Sequence, residues 1–581
     1  MAIERIGAQN FRALNIDPDD MLLGNITVLC GANSVGKSSI QKSLLMVKQI
    51  DAEGDLEKDI IPLRGKIVDL GSYVTLVQNH DLTNDIVVTI SAKAKLKSMQ
   101  IDLTLTDSIC YELAFSPKDI GKSKSNEQQY IPYLKKLLIS ANDINGDPVA
   151  NVEFSGDENG NYSARGSFRE LIKPDLKNSS DMESVIDKYN AKAKKKPSEF
   201  WEAYDKIRFA GDCEKEWKIW CDEPEHSSYL EAAKIWCNNA VKEAWEKDSA
   251  GNGLLKPNDI MTSAQAEFKS FPFVDGLLIG EKRTSGGKEK DLIEEFLSVV
   301  QKEVSLRKIL EKIEYIGPIR ETPTRYKVYS ESAASSVGIR GENAPYLLAR
   351  RNDDPILKPW RITAGAVFEQ LKDEKSGDPM DSTLGQEVNV WMKLMTGEEV
   401  QCSINKDNYP GLVTTNLLKE RQNEAVSVSM SDVGFGVGQV FPIVVEGVMM
   451  GNDETLFVEQ PEVHLHPKMQ GDLADFFIAQ ALSGKQFIIE THSDHIINRL
   501  VRRVVEDGLD GDEVGIKDLV KIYFAEKKNG EVELNEVEVS DVTGIVDWPP
   551  DFFDQNINDR EATVQVTLKK MQRMVRPGGS Q

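Results

Sequence analysis

The chain has 581 residues and a formal net charge of −24, too long for one ordinary domain and, outside any local basic patch, a poor non-specific binder of DNA, which needs lysine and arginine against the phosphates. No apolar run approaches the ~18 residues that cross a bilayer. Residues 1–5 carry no signal-peptide pattern, so a cytoplasmic protein is expected. The basic runs at 192–196 and at Lys569, Lys570, Arg573 and Arg576 read as solvated surface. Six cysteines scattered without metal-type pairing read as reduced thiols.

In chain order, residues 3–6 start a strand and Asn10-Phe11-Arg12 follows it. Residues 25–30 form a short buried strand running into Gly31-Ala32-Asn33-Ser34-Val35-Gly36-Lys37-Ser38, which fits the phosphate-loop pattern G-x-x-x-x-G-K-[ST]. Residues 39–50 carry Ile40, Leu44, Leu45 and Val47 at helical spacing. Strand, glycine loop and helix is what phosphate binding needs. The glycines let N–H groups turn inward, and the helix start adds partial positive charge. Lys37 is expected on the β- and γ-phosphates and Ser38 on Mg²⁺, with Gly31, Asn33, Gly36 and Ser39 completing the nucleotide site.

Residues 65–70 and 86–90 predict further strands. Gln78, between them, has two readings: a sensor of the γ-phosphate and Mg²⁺, or a polar loop residue. Alternation over 101–105 and 111–115 predicts an antiparallel sheet. From 165 to 250, charged helical sequence surrounds Trp201, Trp217, Trp220, Trp236 and Trp245, read as the core of a helical subdomain rather than a base-stacking platform. Residues 281–290 read as a flexible surface loop, and no heptad run supports a coiled-coil arm. Order resumes at 313–320 and 337–342, with helices predicted over 362–371 and 384–395. Near the end, 521–524 and 532–539 flank Asn529-Gly530, a hairpin turn; after 548–553 a helix runs to about 576. The division expected is 1–95 and 431–525 as ATPase lobes, 96–312 as an insertion, 313–430 as a connection and 526–581 as a small C-terminal domain.

Three further stretches carry chemistry. Residues 455–458 are an apolar strand closed by Glu459-Gln460-Pro461-Glu462, the Walker B logic of an acid that holds Mg²⁺. His464 and His466 follow, but no third strong ligand stands near enough for a metal site. The next strand, 486–489, delivers Glu490-Thr491-His492-Ser493, with His492 placed to hydrogen-bond a γ-phosphate. Upstream, small residues at Gly434-Phe435-Gly436-Val437-Gly438-Gln439 precede a predicted helix over 440–450, a second anion site suited to a partner's nucleotide.

In this order the motifs resemble the ABC-type ATPases, α/β P-loop proteins, and the wide insertion resembles the SMC, RecF and OLD branch. Asn10-Phe11-Arg12, the run from Glu459 to Pro467 and Glu490-Thr491-His492-Ser493 resemble the OLD-like bacterial ATPases. The resemblance covers roughly 1–95 and 313–555. It implies an ATP-dependent homodimer or higher homo-oligomer of heads, each nucleotide lying between one Walker A loop and the other subunit's Gly436, Gly438 and Gln439. It also implies a head with a large α+β insertion and a small C-terminal domain. It assigns ATP and Mg²⁺ as cofactors, with Ser38 and Glu459 on the metal and His492 as the switch; Gln78 joins the metal on its sensor reading alone. Gln460 stands where the family's catalytic glutamate is usual, so slow hydrolysis is expected; Glu462 is either a replacement base or a loop-capping residue. Such proteins occur in anti-phage defence beside a nuclease or toxin effector. About ninety residues follow His492 with no acidic Asp-x-Asp triad on a following strand, so no nuclease domain is read here. The implied partners are a separate effector and a phage-encoded trigger. A RecF-like DNA-maintenance ATPase and a binding module without useful turnover are the alternatives.

Overall fold

The computed structural model describes residues 2–53, 62–98, 101, 103, 106–122, 128–156, 162–169, 261–268, 288–329, 334–363, 367–373, 375–405, 412–421, 424–509, 513–546 and 555–575. The tryptophan-rich segment and 548–553 lie outside them. The chain divides into two compact units: residues 1–92, 114–133 and 307–581, and residues 93–113 and 134–306.

The first unit is built on a mixed sheet. Nine of its strands are β1 (Ile3–Phe11), β2 (Leu14–Ile16), β3 (Ile26–Gly31), β4 (Ile86–Lys93), β5 (Ile313–Ile316), β6 (Thr455–Glu459), β7 (Gln486–Glu490), β8 (Val520–Lys528) and β9 (Glu531–Glu536). They stand in the order β5-β6-β7-β3-β8-β9-β2-β1-β4. From β5 to β8 every pairing is parallel. Each residue of β6 and β7 is buried, as expected where helices cover both faces of a parallel sheet. In such a sheet the crevice at the carboxyl ends of the strands is the place for a ligand. Gly31, Glu459 and Glu490 all close strands there.

The core joins Val28, Leu456, Val458, Phe487 and Ile489 of these strands to the helices Leu384–Thr396, Phe435–Met449 and Pro467–Leu482. Thr383 caps the first of these with a Gln386 capping box, and Gly397 ends it at φ 79°. Buried Lys485 closes the second: its Nζ donates to Gly447 O at 2.8 Å, Val448 O at 2.9 Å and Gln480 Oε1 at 2.7 Å. The first two are carbonyls that the helix end would otherwise leave without partners. Asn529 (φ 53°) and Gly530 (φ 93°) form the hairpin turn between β8 and β9.

In the second unit the strands Pro148–Gly156, Tyr162–Arg169 and Met261–Phe268 pair antiparallel in succession. The helix Lys288–Val304 packs Phe296 on Phe168, with ring centroids 5.7 Å apart.

Several expectations change. Residues 65–70 make only an isolated Arg64–Asp69 bridge, not a strand. The helix expected over 362–371 is a ladder of Trp360–Ile362 on Phe368–Gln370, closed by Thr363 N donating to Val367 O at 2.9 Å. Three-residue ladders are too short to show a period of two, so their apolar residues mimic a helical face. Residues 165–169 are strand rather than helix, and 288–290 begin the Lys288–Val304 helix rather than end a loop. Residues 281–287 lie outside the described set.

Candidate functional site

The loop after β3 has the backbone that phosphate binding requires. Gly31 sits at φ 131° and Gly36 at φ 126°, conformations that side chains resist. A Cβ on Gly31 would lie 2.3 Å from Ala525 O of β8, so only glycine lets the loop leave the sheet here. Ala32, Asn33 and Ser34 are exposed. The helix Lys37–Glu53 starts inside the motif, and the Lys37 Nζ donates to Gly31 O at 3.0 Å and Ala32 O at 2.7 Å. Burial pushes its pKa down, opposed by Glu490, Cys30 and Glu462. Ser39 is buried, its hydroxyl 3.5 Å from Arg12 Nη1. Arg12 is bent into positive φ (57°) beside the loop, and its N–H donates to Leu76 O.

The strand ends bring two carboxylates together. Glu459 and Glu490 are register partners across β6 and β7. Glu459 Oε1 accepts from Tyr315 OH at 2.9 Å; Glu490 Oε1 accepts from Ser38 Oγ at 3.1 Å. Burial, then Glu459, raises the Glu490 pKa, while Ser38, Lys37 and Lys42 oppose it. Burial also raises that of Glu459, against Lys42 and Tyr315.

Next comes a strained turn. Gln460 has φ 46°, and its N–H donates to Glu490 O at 2.7 Å. Arg320, buried, clamps the turn through Nη2 on Glu459 O at 2.8 Å and on Gln460 O at 3.2 Å. Burial lowers its pKa to about 10. Both Glu462 oxygens are engaged: Oε2 accepts from Thr491 Oγ1 at 2.8 Å and Oε1 from His492 N at 2.7 Å. Glu462 therefore fixes the backbone of the histidine loop. Burial, then Lys37, lowers the His492 pKa and favours its neutral ring, against Glu462 and the Gly31 backbone. His466 Nδ1 caps the Pro467–Leu482 helix by accepting from Lys468 N at 3.2 Å, and His464 meets Phe435 edge-on at 4.9 Å.

The glycine run upstream of Walker B differs from its reading. The helix begins at Phe435, not at 440, so Gly436, Gly438 and Gln439 lie inside it. A Cβ on Gly438 would lie 2.2 Å from Pro323 Cγ, and one on Gly436 2.7 Å from His464 O. Gln439 is buried, and its Nε2 has no partner among the described residues. What reaches the surface is the capping residue Gly434 and the ring of Phe435, 45% exposed. Gln78 Nε2 donates to Glu531 Oε1 at 2.9 Å. The next residue, Val532, is the one a Cβ on Gly36 would strike at 2.8 Å, so Gln78 stands at the edge of the phosphate loop.

Tyr315, Arg320 and Glu490 are the site residues that motif reading passes over. The signal was there for Glu490 alone: like Glu459, it closes a five-residue apolar strand.

A glycine phosphate loop on a central parallel strand, carboxylates closing two neighbouring strands and a neutral histidine against the loop define an α/β P-loop ATPase head. More narrowly, the model of the AAA ATPase domain (AAA_15) matches residues 1–497, and the chain belongs to that family. No curated protein matches it. Solved structures similar to it include the SMC head domain from Thermotoga maritima, at 10% identity and TM-score 0.30, over 93% of this chain and 100% of that one. Others are an SMC head bound to the C-winged helix domain of ScpA, at 10%, TM-score 0.33, 93% and 98%, and the Pyrococcus yayanosii Smc head with a coiled coil and joint, at 10%, 0.32, 92% and 97%. Among the described residues no helix is long and apolar enough to cross a membrane.

Proposed function

We propose that this chain is an ATP-binding, slowly hydrolysing ABC-type head that serves as an ATP-dependent sensor or scaffold in bacterial anti-phage defence, controlling a separate nuclease or toxin. The observation that carries the slow switch is Gln460, at the position after the strand acid where a general base is usual. An amide can orient water but cannot take its proton. In small GTPases an orienting glutamine supports slow turnover, which sets the expected scale.

The residues divide the work as follows. Lys37 leaves two neutral carbonyls for the β- and γ-phosphate oxygens, an exchange toward stronger, charge-assisted hydrogen bonds. His492 donates to the γ-phosphate by releasing the Gly31 backbone, and reports the loss of that phosphate. Glu462 holds that histidine's backbone; to act as a base it must first release Thr491 and His492. Mg²⁺ bound with the nucleotide neutralises phosphate charge. The donor set suits it: Ser38 and strand-end carboxylates are oxygens, and Mg²⁺ takes one or two carboxylates beside phosphates. Gln78 holds Glu531 through Nε2, which leaves its amide oxygen as the atom to join the metal. Two heads meet with the exposed helix start at Gly434 on the partner's phosphates, giving a homodimer or a higher homo-oligomer, and a phage-encoded trigger releases the effector.

The net charge of −24 favours a protein effector over DNA. The test is co-expression with the products of neighbouring genes, then native mass measurement with and without MgATP. A nuclease or toxin retained with ATP supports the proposal. A salt-sensitive shift of duplex DNA with no protein partner replaces it with the RecF-like reading.

A further inference from the structure

Glu459 stands in the Walker B position, and its Oε1 is already engaged: it accepts from the Tyr315 hydroxyl, which comes from β5 on the side of β6 away from β3. Glu490 has the other arrangement. Its strand, β7, lies between β6 and β3, one position nearer the phosphate loop. Its Oε1 accepts from the hydroxyl of Ser38, the loop residue that the nucleotide reading puts on the metal, at 3.1 Å. Its Oε2 is buried and has no hydrogen-bond partner among the described residues, in a residue only 5% exposed. A buried carboxylate oxygen without a partner is costly unless a cation or donor meets it. Lys37 and Lys42 act on Glu490 through their field, but neither forms a salt bridge with it.

We propose that Glu490, paired with Ser38, is the principal carboxylate for the Mg²⁺ of bound MgATP, and that Glu459, held by Tyr315, supports it from the next strand. The inference rests on the nucleotide reading above and deepens it. Ser38 can donate its proton to Glu490 while its lone pairs stay free for the cation. That hydrogen bond holds the Glu490 carboxylate against Ser38, and with the cation the second Glu490 oxygen gains the partner it lacks. The acidic function is thereby moved one strand toward the loop, which leaves the β6 turn free to present Gln460.

The full-length chain tests this through equilibrium ATP binding with Mg²⁺ and with EDTA, a readout independent of turnover. The parent should bind ATP about tenfold or more tighter with Mg²⁺. Glu490→Gln should lose most of that gain while its EDTA affinity stays equal or rises, because a buried negative charge near the phosphates is gone. Glu459→Gln should keep the larger part of the gain. Glu490→Asp, which keeps the carboxylate on a shorter stem, should recover at least about a third of it. Mn²⁺ electron paramagnetic resonance with ATP should show the same ranking in bound metal. A Glu490→Gln protein whose Mg²⁺ gain stays within about twofold of the parent overturns the proposal. So does a Glu490→Asp protein with no recovery. A parent that binds no ATP in either condition overturns the nucleotide reading, and this inference with it.

Discussion

Two glycine-rich stretches each precede a helix in this head, and they use glycine for opposite reasons. In the phosphate loop Gly31 and Gly36 supply positive φ, so the backbone turns its N–H groups outward to a ligand. At the start of the Phe435–Met449 helix, Gly436 and Gly438 have ordinary helical backbone and supply closeness. They let the helix lie against His464 and Pro323. Sequence pattern cannot separate a glycine that bends the chain from one that lets two elements touch. Only the first kind makes an anion site by itself. The surface that the second stretch offers a partner is therefore its cap, Gly434, and not the glycines that resemble a signature.

The largest expected effect is on the first stretch. Lys37→Ala should weaken MgATP binding by about 100-fold or more, close to 3 kcal/mol, with little change in melting temperature, since the lysine rests only on loop carbonyls. Titration calorimetry measures it, and unchanged affinity would remove the loop from the nucleotide site. At the second stretch the effects should be reversed in kind. Gly438→Ala must displace Pro323 and should cost about 1–3 kcal/mol of stability in denaturant unfolding, with ATP affinity of the folded protein intact. A fully stable variant would mean that the helix does not lie against Pro323.

A sharper cut uses Gly434, whose added side chain meets open space. Gly434→Asp places a carboxylate at a helix N-cap, a position where aspartate is well tolerated, and against any incoming phosphate. Stability should hold within about 0.5 kcal/mol while ATP-dependent assembly, read by native mass, is lost. Assembly that survives would place the interface elsewhere.

An effect of another kind concerns Glu446 in the same helix. Burial, then Glu314, raises its carboxyl from 4.5 to about 8, and Val337 N donates to it at 2.8 Å. The folded state then keeps a proton that the unfolded chain releases near 4.5. Stability should fall as pH rises from about 4.5 to 8, and be fully present only below that window. Glu446→Gln should flatten that slope in unfolding curves taken across the same window; an unchanged slope would assign it to other groups.

The parallel half of the sheet was legible because buried parallel strands read as unbroken apolar runs: β3, β6 and β7 all fall where the runs at 25–30, 455–458 and 486–489 place them. The helix Leu384–Thr396 was legible from its period and from Gly397. The 360–370 ladder was not, because its pairing is set by a turn and by packing on the core rather than by a period. In the site, Lys37 and Ser38 follow from a pattern whose every member has a physical task. The inward turn of Gly438 and Gln439 follows from Pro323, more than a hundred residues upstream, which no local pattern reveals. Glu490 was half legible: its place at the end of an apolar strand is in the sequence, its use is not. A lone acid at a strand end has meaning only once Ser38 is seen against it.

The central claim is a site that holds ATP and cleaves it slowly because Gln460 cannot accept a proton. Single-turnover hydrolysis with excess protein tests it most directly, comparing the parent with Gln460→Glu, Glu462→Gln and His492→Ala. The account predicts a parent rate below about 1 per second, a faster Gln460→Glu, and slower Glu462→Gln and His492→Ala, as the histidine loop loses its anchor or its ring. A parent turning over at tens per second, or a Gln460→Glu protein slower than the parent, would contradict it.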